Sequence, residues 1–77
     1  MVSANDALAL LQQIGHTDIA ITDQDLMTNG KLNSIDIMNL VGAIEAQYNC
    51  LIDAELIDVD CFESCEAIAK FIDKVLA

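Results

Sequence analysis

Between residues 37 and 48 the apolar side chains recur at steps of three and four: Ile37, Leu40, Val41, Ile44 and Tyr48, with Met38 at the edge. Such spacing draws one continuous arc along an α-helix, whereas in a strand it would scatter over both faces. Two further stretches keep the same period. Ala7, Leu10, Leu11 and Ile14 share one face, and Cys65, Ile68, Ile72 and Val75 share another, with Phe71 and Leu76 alongside. No segment alternates with the period of two that a half-buried strand requires. The sequence predicts an all-α fold of three long helices and one short one.

Proline is absent, so the helix boundaries must come from caps. Ser3 and Asp6 have capping-box spacing, which starts helix one at about residue 4; Gly15 stops it after residue 14. Asn33 is a good N-cap for helix two, with Asp36 placed to meet the free N–H groups and the dipole. Ser64 caps a last helix from about Cys65 to Leu76. A short helical turn is expected near Ala54 to Ile57. Residues 16 to 32, rich in Thr, Asp, Asn and Gly, read as a long ordered loop pinned by Ile19, Ile21, Leu26 and Leu32. A loop of that length in a small domain is usually functional.

The 77 residues allow one domain, 1–77. A chain this short buries only roughly 60% of its unfolded surface, which favours carrying or binding over catalysis in a deep cleft. Thirteen acidic residues oppose three basic ones, for a net charge of -10. That balance argues against nucleic-acid binding, which needs Lys and Arg on the phosphates, and points to basic protein partners. The N-terminal stretch lacks the basic region and cleavage site of a signal peptide. No apolar run reaches the roughly 18 residues of a membrane span. Cys50, Cys61 and Cys65 form an odd set with no CxxC pair, so reduced thiols and a cytoplasmic location are expected. Cys65 belongs to the buried stripe of the last helix.

Catalytic and metal constellations are sparse. His16, the only histidine, reads as an exposed loop residue. Six acids, Asp53, Glu55, Asp58, Asp60, Glu63 and Glu66, follow one another without a lysine; a solvated acidic face and a docking rim for basic partners are both compatible with that run. Ser34 stands apart. It opens helix two, where backbone N–H groups and the dipole favour an attached phosphate. Ile35 beside it falls outside the apolar arc and faces outward.

Residues 26 to 72 resemble the acyl and peptidyl carrier proteins. LMTNGKLNSIDIMNLVGAIEAQYN looks like the family pattern G-x-L-D-S-(L/I/F) at the start of helix two. CFESCEAIAKFI looks like its last helix, which opens F-x-S-x-x-A-I. The resemblance implies a monomeric four-helix bundle of carrier type with a long first loop, and no enzymatic activity. It also implies 4'-phosphopantetheine bound covalently to Ser34, with thioester cargo passed between enzymes. Partners would be a phosphopantetheinyl transferase, an acyl- or aminoacyl-activating ligase, and a downstream acyl transferase or synthase. Asn33, Ile35 and Asp36 would meet them.

Three departures from that pattern stand out. Asn33 replaces the usual Asp, which keeps the cap and loses a charge. Helix two carries only Asp36 and Glu45 as acids. Gly42, which in a helix interior costs roughly 1 kcal/mol relative to Ala, stands where a large residue is usual. These favour a dedicated polyketide, nonribosomal-peptide or other secondary pathway over housekeeping fatty-acid synthesis. A rival reading is an EF-hand-like, dockerin-like calcium loop, with Asp25, Asn29, Gly30, Asn33 and Asp36 at positions 1, 5, 6, 9 and 12. Met27 at position 3 and the absence of a second loop of this kind weigh against it.

Overall fold

Three short polar side chains decide where the three helices begin. In the computed structural model, which describes residues 2–77, helix α1 spans Ala4–Gln13, α2 spans Ser34–Tyr48 and α3 spans Cys65–Leu76. Ser3 is extended ahead of α1. Its hydroxyl accepts from the Asp6 amide at 3.3 Å, while the Asp6 carboxylate accepts from the Ser3 amide at 3.0 Å. Ser64 caps α3 by accepting from the Ala67 amide at 3.1 Å. Each such cap satisfies donors that the first helical turn leaves free, and each is worth about 1 kcal/mol. Among the described residues there is no strand, so the class is all-α.

The short helix expected at 54 to 57 is instead a single 3₁₀ turn over Ala54–Leu56, followed by a second at Val59–Phe62. Asp53 and Asp58 explain the break. Each accepts from the amide two residues on, at 3.1 Å, so a new cap restarts the chain before an α-helix can propagate.

Helix α1 packs against α3 and, over a smaller area, against α2. Leu11, Leu26, Leu40, Ile44, Phe62, Cys65, Ile68 and Ile72 make the sealed centre. The Phe62 and Phe71 rings meet at 5.2 Å with a 55° tilt, a geometry that aromatic quadrupoles favour. Burial pushes the Cys65 thiol up from its ordinary pKa, as befits an inert core sulfur. Three expected core positions lie elsewhere: Ile21 and Leu76 are exposed, and Met38 is well exposed on the outer side of α2.

Ile19, Leu26 and Leu32 are buried anchors of the first loop. Its tightest restraint comes from Glu63, just ahead of α3. The Leu26 amide donates to the Glu63 carbonyl at 2.9 Å. One carboxylate oxygen accepts from the Met27 and Thr28 amides at 2.6 and 3.0 Å, and the other accepts from the Thr28 hydroxyl at 2.6 Å. Lys31 pairs with Asp23 at 3.0 Å, and the same Asp23 oxygen accepts from the Ala20 amide. Gly30, at φ +79, makes a left-handed turn that other residues adopt only at a cost. No helix among the described residues is long and apolar enough to cross a membrane.

Candidate functional site

Asn33 turns the loop into α2 and thereby fixes Ser34 as its first residue. The Asn33 backbone is extended; its side-chain oxygen accepts from the Asp36 amide at 3.0 Å, and Asp36 returns the bond by accepting from the Asn33 amide at 3.0 Å. Asn in place of Asp therefore preserves a complete capping box. Ser34 follows, solvent-exposed, at the positive end of a 15-residue helix. The Asp36 carboxylate is the one formal charge in that first turn.

His16, expected to be an exposed loop residue, is half-buried. Its Nε2 lies 2.9 Å from the second Asp36 oxygen. Burial pulls the Asp36 carboxyl upward, but the bonds from His16 and Asn33 outweigh it and hold the group below its usual pKa. Asp36 therefore joins the end of α1 to the start of α2. It is not a free rim charge. Nothing local in the sequence signals this contact, because the two residues belong to different elements.

Outward from Ser34 runs an uncharged stripe. Ile35 and Met38 are 69% and 74% exposed, and Gly42 completes the i, i+3, i+7 spacing. A side chain at Gly42 would meet open space, so the stripe is flat at the end farther from Ser34. Leu51, Leu56 and Val59 add exposed apolar residues beyond the end of α2. Of the acidic run, Asp53 and Asp58 cap the 3₁₀ turns, Glu63 ties down the loop, and Glu66 pairs loosely with Lys70 at 3.6 Å. Glu55 and Asp60 remain as exposed acids. Part of the run is thus structural.

No family model, curated protein or solved structure matches the chain.

Two side chains of the expected calcium loop are engaged with other partners. Asn33 and Asp36, at its ninth and twelfth positions, direct their oxygens to each other's amides and to His16. Asn29 donates its side-chain amide to the Gln24 carbonyl, turning its NH₂ inward. A cleft of about 100 Å³ lined by Asp6, Leu10, Gln13, Gln47 and Tyr48 opens at the other end of α2 from Ser34, and is too small for a typical small-molecule site of roughly 300 Å³ or more.

Proposed function

We propose that the protein is an acyl or aminoacyl carrier and not an enzyme, with 4'-phosphopantetheine attached to Ser34. The observation that carries this reading is an exposed serine at the first position of α2, behind a closed capping box. The phosphodiester would lie against first-turn N–H groups and the positive end of the helix dipole. Attachment needs no cleft in this chain. The Ser34 oxygen attacks the pantetheine-side phosphorus of coenzyme A; a P–O bond to serine forms, the bridging P–O bond of the pyrophosphate breaks, adenosine 3',5'-bisphosphate leaves with the bridging oxygen, and the hydroxyl proton passes to solvent or to the transferase. The arm's terminal thiol then holds acyl groups as thioesters, chemistry that belongs to the cofactor.

The chain's own contribution is presentation. Its three α-helices and the paired 3₁₀ turns stand for the four-helix bundle of a carrier, acting as a cytoplasmic monomer. Asn33 sets the turn, Ile35 with Met38 and Gly42 offers an apolar contact, and Asp36 supplies negative charge near it. That surface suits a phosphopantetheinyl transferase, an acyl- or aminoacyl-activating ligase and a downstream acyl transferase or synthase with basic rims. A dedicated pathway fits better than bulk fatty-acid synthesis, because the outer face of α2 is nearly free of acids.

Intact mass after incubation with coenzyme A and a broad-specificity transferase tests the reading. One added phosphopantetheine is expected, and none on Ser34→Ala. An unmodified wild type with several transferases would reject it.

A further inference from the structure

The His16–Asp36 contact has no role in the carrier reading as it stands. His16 is held from behind. Gly15, at φ +105, turns the chain out of α1, and the His16 amide donates to the Leu11 carbonyl at 2.9 Å. That bond ties the His16 backbone to the end of a helix whose Leu11 is fully buried. The backbone that carries the ring is therefore held in place, although the loop that follows has no regular structure. On the other side, Asp36 has one oxygen on the Asn33 amide and one on His16. A carboxylate with a single contact could swing about its side-chain torsions; one gripped at both oxygens cannot without losing a bond.

We propose that His16 is a positioning residue for Ser34: it clamps the carboxylate that closes the α2 cap, and so fixes the first turn on which the serine is presented to a transferase. This rests on the carrier reading for its consequence and on geometry alone for the clamp. Nε2 donates both in the neutral Nε2–H ring and in the imidazolium, so the clamp requires a donor at that place and not a charge. A side-chain amide can replace it; a methyl cannot.

Two measurements on the full chain, with His16→Ala and His16→Gln, separate the possibilities. Amide hydrogen exchange of the unmodified protein reads the clamp. The Asn33 and Asp36 amides should exchange about fivefold faster in His16→Ala, with core amides of α1 and α3 changed less than twofold, and His16→Gln should restore protection. Equal acceleration throughout the core, or none at the cap, would overturn the clamp. Phosphopantetheine transfer to Ser34 reads the consequence. The initial rate should fall roughly three- to tenfold in His16→Ala and return to within about twofold in His16→Gln, a range ordinary for a misplaced reacting group. A loosened cap with an unchanged rate would overturn the positioning role. No transfer even to the wild type would reject the carrier reading, and the exchange data would still decide the clamp.

Discussion

Ile35 is the most informative single side chain on the outer face of α2, because it is apolar, 69% exposed and adjacent to Ser34. Removing it should leave folding within about 0.5 kcal/mol of wild type, as for most exposed substitutions. Ile35→Ala should nevertheless slow modification or loading about tenfold, equivalent to about 1.4 kcal/mol of lost apolar contact. Steady-state rates alongside a thermal melt check both halves; an unchanged rate would place docking elsewhere. Asp36 cannot be tested as cleanly. The sequence offers it both as a first-turn acid for the α2 cap and as a partner contact; the structure shows it closing that cap beside His16, so its reversal to lysine should also cost about 1 kcal/mol of stability. Phe62 escaped the sequence reading of the core for a related reason. It is fully buried but sits in a 3₁₀ turn, where no helical period marks the inward face.

At the scale of elements, Glu63 does the work of a strap. Its bonds to the Thr28 hydroxyl and to the Thr28 and Met27 amides hold its carboxyl below the usual glutamate range. A depressed folded-state pKa contributes stability above the unfolded value, near 4.3, and that contribution is lost as pH falls through the lower folded value. The Met27 and Thr28 amide shifts should therefore stay constant from pH 7 down through the ordinary glutamate range and move only below it. Glu63→Ala should abolish that step and loosen residues 26 to 28 at neutral pH, with helical circular dichroism unchanged. Amide shifts that are identical in the variant would mean that the strap does not form. The same contrast separates what could be read from the chain alone. Helix starts were legible to the residue, since each is written within four positions as a cap and a stripe. The path of the first loop was not, because Glu63 meets it from 35 and 36 positions away. Ser34 was legible as the opening of α2, whereas the second grip on Asp36, from His16, was not.

For the whole molecule the dominant long-range term is self-repulsion. The net charge of -10 is confined to a body of 28 × 22 × 18 Å. At 0.01 M salt the screening length is about 30 Å, longer than the protein, so every carboxylate opposes every other. At 0.15 M it is about 8 Å, and only near neighbours still interact. Unfolding spreads the same charges over a far larger volume, which relieves repulsion most at low salt. Against this stand local attractions among the described residues, such as Lys31 with Asp23, the loose Lys70–Glu66 pair, and His16 with Asp36. The two lysine pairs, as surface ion pairs, are worth about 0–1 kcal/mol each and weaken with salt. Repulsion among ten excess charges outweighs them, so added salt should stabilise. Raising sodium chloride from 0.01 to 0.15 M should increase unfolding free energy by about 1–2 kcal/mol. For a domain of this size that corresponds to a rise in Tm of roughly 5–10 °C. Thermal melts at fixed pH 7 across that series would measure it. Sodium and potassium should act alike, because screening depends on ionic strength and not on a site. A Tm that falls with salt would mean that the local pairs, and not the overall charge, govern the electrostatics of the fold.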